Sequence, residues 1–223
     1  MMNILIYAVC AIIAYLIGGV SIANMLSKKI IGKNIREVGS GNTGASNMIR
    51  NCGWGAGLGT LAFDAAKAIG AMVLARWIVG MIAGEKAAEI AMYVAAVSVI
   101  LGHIWPVFTK FKGGKGVACT FGVVLFMMPI QTTVIFVFCA IITIIFKIMS
   151  ITSFTGLILV FASAFIFYPG ETAFHITMII IFVIILFTHR SNIVRLVKGK
   201  EAKVKISKKD EEQEEKEKEE KDK

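Results

Sequence analysis

The sequence predicts an all-α integral membrane protein with seven transmembrane helices, its N-terminus outside and its C-terminus cytoplasmic. Three observations lead there. Of 223 residues, 57% are hydrophobic and only 17% charged, with a mean hydropathy of +0.75, which leaves too little polar surface to cover a soluble globule of that size. Apolar stretches approaching the roughly 20 residues that a span needs recur along the chain. The lysines and arginines outside those stretches gather in three loops, as they do on the cytoplasmic face of membrane proteins.

The first stretch is 3–25; it lacks a preceding basic segment and an A-x-A site before Lys28, so it reads as a retained span and not a cleaved signal. The second, 54–83, is rich in small residues at Gly53, Gly55, Gly57 and Gly59, a spacing that lets helices approach closely. It also carries Asp64 and Lys67, three positions apart and so on one helical face. Inside a membrane such a pair is expected to face the bundle, as a structural ion pair or as part of a site. The third is 88–105.

Residues 117–146 form a thirty-residue stretch interrupted at Met128-Pro129. Charge decides how to divide it. Lys28, Lys29, Lys33, Arg36 and Arg50 lie in loop 26–50, Lys110, Lys112 and Lys115 in loop 106–116, and Arg190, Arg195, Lys198 and Lys200 after the last span. For the last two clusters to share a side, the chain between them must cross an even number of times. Breaking the stretch at Pro129 supplies the extra crossing and leaves a short helix, 117–128, that at about 1.5 Å per residue does not reach across a bilayer alone. Spans at 151–168 and 172–188 complete the set.

From Lys203 to Lys223 eight lysines face nine acidic residues, with Val204 and Ile206 the only aliphatic side chains. The expected division is therefore a membrane domain over 1–202 and a disordered charged tail over 203–223. The domain then holds sixteen basic against six acidic groups. So basic a membrane body is expected to meet anions, either lipid head groups or phosphorylated substrates, with no nucleic acid among its partners. Cys10, Cys52, Cys119 and Cys139 show no CxxC spacing; they are expected as reduced core residues, with no His/Asp cluster about them and no metal.

Unusual polar residues fall in three cassettes at predicted cytoplasmic helix ends. Gly39-Ser40-Gly41-Asn42-Thr43-Gly44-Ala45-Ser46-Asn47-Met48-Ile49-Arg50 contains G-x-G-x-x-G without the strand that a dinucleotide fold requires. Its glycine amides, the donors on Ser40, Asn42 and Ser46, and Arg50 suit an oxyanion at a helix start; taken alone, the cassette reads better as a capped glycine-rich turn. The second, from His103 to Gly116, is not a Walker A loop, because no Ser or Thr follows Lys115. Gly113, Gly114 and Gly116 around Lys115, with Lys112 beside them, are expected to converge amides and a point charge on phosphate. Topology alone would explain the lysines but not Gly-Gly-Lys-Gly. In the third, His189, Asn192 and Arg195 follow three-residue steps along one helical face, and Glu201 comes after them. Ser150 and Ser153 either cap the sixth helix or add donors to a shared site.

Together these stretches resemble a known family. Gly-Ser-Gly-Asn-x-Gly-Ala-Ser-Asn-x-x-Arg, Gly-His-x-x-Pro-x-Phe-x-x-Phe-Lys-Gly-Gly-Lys-Gly-Val-Ala and His-Arg-x-Asn-Ile-x-Arg-Leu-x-x-Gly-x-Glu are similar to the three motifs of the bacterial acyl-phosphate:glycerol-3-phosphate acyltransferases, the PlsY family, over residues 3–201. The resemblance implies a seven-helix enzyme of the bacterial plasma membrane, its site facing the cytoplasm. It implies transfer of a fatty acyl group from acyl phosphate to the sn-1 hydroxyl of glycerol 3-phosphate, giving lysophosphatidic acid and inorganic phosphate without a cofactor. It implies catalytic roles for Ser40, Arg50, Lys115, His189 and Asn192. Substrate contacts are implied for Asn42, Ser46, Lys112, Gly113, Gly114, Gly116, Ser150 and Ser153, and a structural role for Glu201. Ser46 stands where many relatives have Thr, and Cys119-Thr120 departs from the usual pattern after the loop. The residue chemistry agrees, because a mixed anhydride is already activated and needs no acyl-enzyme. His189 and a substrate phosphate oxygen are both candidate bases. The His-x₄-Asp pair of thioester-dependent acyltransferases is missing, since Phe108, Ile180 and Val194 follow the three histidines at that spacing. The competing reading is a transporter or flippase for an organic phosphate, which predicts midplane charges and internal repeats.

Overall fold

The structure is a computed structural model that describes residues 2–204; of the expected tail only Lys203 and Val204 fall within it, and the rest of 203–223 lies outside the described residues. Among the described residues every regular element is helical. In order these are α1 (Met2–Gly19), α2 (Ala23–Ile31), α3 (Ala45–Cys52), α4 (Trp54–Ala83), α5 (Glu85–Ile104), α6 (Val117–Met127), α7 (Pro129–Phe146), α8 (Met149–Phe167), α9 (Thr172–Thr188) and α10 (Arg190–Val197), with 3₁₀ turns at Ile35–Glu37 and Val107–Thr109.

Among the described residues five segments are long and apolar enough to cross a membrane: Ile4–Ile31, Trp54–Ala83, Glu85–Thr109, Pro129–Phe146 and Met149–Phe167. A sixth is Thr172–Thr188 taken with Arg190–Val197, bent by 55° where they meet. α6 is apolar but too short to qualify. The chain breaks at Met128, with Pro129 at the first position of α7, where its missing N–H costs nothing and its fixed φ suits a helix start. Thr132 Oγ1 donates to the Val124 carbonyl at 2.9 Å and clasps the reversal. Loop 26–50 holds the end of α2, a 3₁₀ turn and most of α3, the helix start expected after the glycines of its cassette.

With no hydrophobic drive between helices in lipid, close approach depends on small side chains. α1 and α5 meet backbone to backbone: a Cβ on Gly18 would strike the Val99 carbonyl, and one on Gly102 would strike that of Tyr15. α6 lies against α4 in the same way, since a Cβ on Gly122 would strike Ala65 O. Of the glycines at the start of α4 only Gly57 serves this purpose, against Ile49 and Ala45 of α3; Gly53, Gly55 and Gly59 face open space. The main core runs through Ala71, Met72, Val79, Ala95, Val99 and Ile100.

Candidate active site

The three cassettes and Ser150 meet at one end of the bundle, around a cavity of about 120 Å³ lined by Ser40, Asn42, Ser46, Arg50, Lys115, Gly116, Ser150, Ser153, His189, Asn192, Arg195 and Glu201. The turn before α3 is held by a residue that the sequence did not single out. Asn47 is buried, accepts from the Ser40 amide at 3.0 Å and donates to the carbonyls of Ile35, Val38 and Asn42 at 2.9–3.1 Å. Gly39 has φ 58° and sits so close to Asn47 and Asn51 that a side chain would displace both. α3 then begins on the cavity wall at Ala45 and Ser46, where first-turn amides lack partners within the helix. Arg50, one turn on, donates from Nη2 to Ala202 O at 3.0 Å. Its Nε is buried without a hydrogen-bond partner among the described residues, and burial lowers its pKa against the opposing pull of Glu201.

The glycine loop departs from expectation. The Gly113 amide donates to Ile104 O and that of Gly114 to His103 O, both at 3.1 Å. These amides fasten the loop to the end of α5 and are not free to converge on a phosphate. A Cβ on Gly114 would collide with the His103 ring, so the glycines are there because the loop lies flat on that histidine. Lys112 is exposed and outside the cavity lining, because Lys110 and Phe111, both at positive φ, turn the chain outward before it returns. Gly116, with φ 88°, swings the chain into α6 and leaves Lys115 pointing at the cavity. Burial, with Arg195 and Arg50 nearby, lowers the Lys115 pKa to about 8.

Lys115 donates to Asn192 Oδ1. Asn192 Nδ2 in turn donates to Ser150 Oγ at 2.7 Å and Glu201 Oε1 at 2.6 Å, while Ser150 donates to the same carboxylate oxygen at 2.5 Å. Arg195 Nε takes the other oxygen at 2.7 Å. Burial pushes the Glu201 carboxyl up, but the hydrogen bonds from Ser150, Arg195 and Asn192 outweigh it and hold the pKa below the usual value. The segment after α10 thereby crosses the site, and Val204, buried, donates its amide to Lys147 O at 2.7 Å. The packed chain thus runs two residues past the expected boundary at 202.

His189 is buried at the bend between α9 and α10. Its Nδ1 lies 2.9 Å from the Ile185 carbonyl, which requires the proton on Nδ1 and leaves the Nε2 lone pair open. Burial lowers its pKa to about 4, so the ring is neutral near pH 7. Ser153 donates to Met149 O at 2.9 Å and also lines the cavity.

Below the glycine loop the Asp64–Lys67 pair read from the sequence belongs to a larger cluster with His103 and Cys119 that the sequence reading missed. Lys67 Nζ is 2.7 Å from Asp64 Oδ1, 3.2 Å from His103 Nδ1 and 2.7 Å from Val20 O. Asp64, His103 and Cys119 place their ligand atoms within 4.8 Å of one another, so Cys119 does stand in a His/Asp cluster. These three donor types fit a transition metal in principle, but the Lys67 ammonium already bonds the Asp64 and His103 donors that a cation would take.

The polar cavity opens into a larger apolar groove of about 360 Å³ between α4, α6, α7, α8 and α9. Ala45, Leu61, Val117, Met149 and Ser153 line both.

Apolar helices around a cation-rich pocket that continues into an apolar groove define a polytopic membrane protein. Comparison with known proteins narrows this: the family model of glycerol-3-phosphate acyltransferase matches residues 8–199, and the chain belongs to that family. It is 36% identical over 199 residues to the glycerol-3-phosphate acyltransferase of Thermoanaerobacter pseudethanolicus, covering 89% of this chain and 96% of that one. With the Neisseria meningitidis serogroup C (strain 053442) protein of the same name it is 38% identical over 196 residues, covering 86% and 94%. Two crystal structures of PlsY (YgiH), an integral membrane glycerol 3-phosphate acyltransferase, are similar in fold. The glycerol 3-phosphate form gives a TM-score of 0.78 at 30% identity, covering 89% of this chain and 96% of that one. The lysophosphatidic acid form gives 0.76 at 29%, covering 88% and 94%.

Proposed function

We propose that this chain transfers a fatty acyl group from acyl phosphate to the sn-1 hydroxyl of glycerol 3-phosphate, giving lysophosphatidic acid and inorganic phosphate. We place it in a bacterial plasma membrane with seven helices, α6 and α7 pairing as one hairpin, its N-terminus outside and the polar cavity on the cytoplasmic side. The observation that carries the reading is the junction itself: a cationic cavity and an apolar groove meet at Ser153 and Val117, where the acyl carbonyl of a phosphate-headed lipid would lie.

In this reading Lys115, Arg50 and the first turn of α3 hold phosphate oxygens, and Ser40, Asn42 and Ser46 orient them. The hydroxyl oxygen attacks the acyl carbon, the bond from that carbon to the phosphate oxygen breaks, and the phosphate departs toward charges already in place. The hydroxyl proton needs an acceptor. A phosphate with a second pKa of about 6 is a stronger base than a His189 ring at about 4. The attacking hydroxyl's proton therefore passes to substrate phosphate, and His189 Nε2 accepts from the neighbouring, non-reacting hydroxyl of glycerol 3-phosphate and so aims the attack. Asn192 fixes Lys115, and Glu201 fixes Asn192.

The test is to supply purified protein with palmitoyl phosphate and glycerol 3-phosphate. Phosphate release matched by lysophosphatidic acid is expected, with none from palmitoyl-CoA. Folded protein that makes no product from acyl phosphate would sink the proposal, and uptake of glycerol 3-phosphate into vesicles without acylation would favour the transporter.

A further inference from the structure

The apolar groove has a closed end. Along α8 its lining runs from Met149 to Phe161, and along α7 from Ile144 back to Thr132; twelve residues at about 1.5 Å each give a depth of about 18 Å. Its inner wall is α6, which stops at Met127. Beyond that point the chain folds back through Met128, which has no exposed surface, under the bond from Thr132 to Val124. Val124, Met128, Val160, Ala164, Phe174 and Met178 pack there as one buried cluster. Three of these, Val124, Val160 and Met178, also line the groove and form its floor. At the cavity end the groove is flanked by exposed Trp54, Leu58 and Ile144. It is therefore open toward lipid near the polar cavity and again beside Phe136 of α7, and shut at its far end.

We infer that this floor, with Met178 as its main stop, sets the length of acyl chain that the protein accepts; the inference rests on the acyl-transfer reading above. A staggered hydrocarbon chain advances about 1.25 Å per carbon, so the depth of about 12 Å from Ser153, or about 18 Å from Met149 at the junction's outer edge, holds about 10 to about 14 carbons. The groove and the bilayer are about equally apolar, so each added methylene gains little by entering. Discrimination comes instead from the missing space: forcing extra carbons into a filled core lowers binding roughly 10- to 100-fold. Met178 is the element most open to redesign, because its unbranched side chain yields volume without leaving a polar group behind.

The experiment measures kcat/KM for saturated acyl phosphates of about 12 to about 20 carbons, each at one fixed mole fraction in proteoliposomes with saturating glycerol 3-phosphate. The original chain should fall off sharply past its optimum. Met178→Ala should raise the ratio of 18-carbon to 14-carbon donor about tenfold, and Val160→Phe should lower it by a similar factor. Met178→Val, which also frees volume, replaces the first variant if that does not fold. A ratio within twofold of the original in both directions overturns the inference while leaving acyl transfer intact. No turnover with any acyl phosphate overturns both.

Discussion

Lys115 and Asn192 are joined by a hydrogen bond across 77 positions of sequence, and it ties the glycine loop to α10 over the mouth of the cavity. The same asparagine amide is held by Ser150 and Glu201. The cation is thus aimed before any substrate arrives, and an ammonium on four rotatable bonds needs such a guide to act as a fixed charge.

Lys115→Ala should lower kcat for phosphate release by about 100- to 1000-fold, the loss expected when one preorganised donor to a developing oxyanion is removed. Asn192→Ala should act through Lys115 and lower turnover less. Assays of phosphate release with both variants, alongside circular dichroism to verify folding, decide this.

The pH profile separates the two candidate bases. Lys115, at about 8, is charged below that pH and neutral above it, so kcat/KM should fall about tenfold per unit on the alkaline side. On the acid side the limb should follow the substrate phosphate near 6. It should persist in His189→Gln, whose amide oxygen can still accept the hydroxyl. Disappearance of the acid limb in that variant would make His189 the base.

Glu201 predicts an acid sensitivity. Its carboxyl has a lower pKa folded than unfolded, so its stabilisation is complete above about pH 4.3 and is lost as pH falls through the folded value. Glu201→Ala leaves Ser150 and Asn192 without their buried acceptor and should cost about 1–3 kcal/mol in chemical denaturation. The exposed half of the Arg195 pair adds little to that figure.

The buried pair in α4 predicts a sign difference between single and double changes. Asp64→Asn leaves the Lys67 charge uncompensated and should destabilise by about 3–5 kcal/mol, whereas Asp64→Leu with Lys67→Met should be milder, measured by thermal unfolding in detergent.

Hydropathy made the long helices legible, and Pro129 marked the break between α6 and α7, because both signals are local. α3 was legible only as a helix start after the glycines: eight residues with four polar side chains are too short to show a span, and its place is set by Gly57 and Asn47. The cassettes announced the residues of the cavity but not their division of labour. Gly113 and Gly114 read as amide donors, yet a string of letters cannot show that Ile104 and His103 already accept from them. Lys112 and Lys115 look alike in sequence, and only the positive φ at Lys110 and Phe111 sends one outward and the other in. Asp64, His103 and Cys119 come from three separate helices, so their meeting depends on how α4, α5 and α6 cross.

The flank of the groove at Trp54, Leu58 and Ile144 carries a kinetic consequence. On the proposed reading, the acyl donor arrives by lateral diffusion in two dimensions and the glycerol phosphate from the aqueous phase in three, by separate doors. Rates should therefore obey surface dilution: inert lipid added at constant bulk donor concentration slows the reaction, while extra vesicles of unchanged composition leave turnover per protein the same.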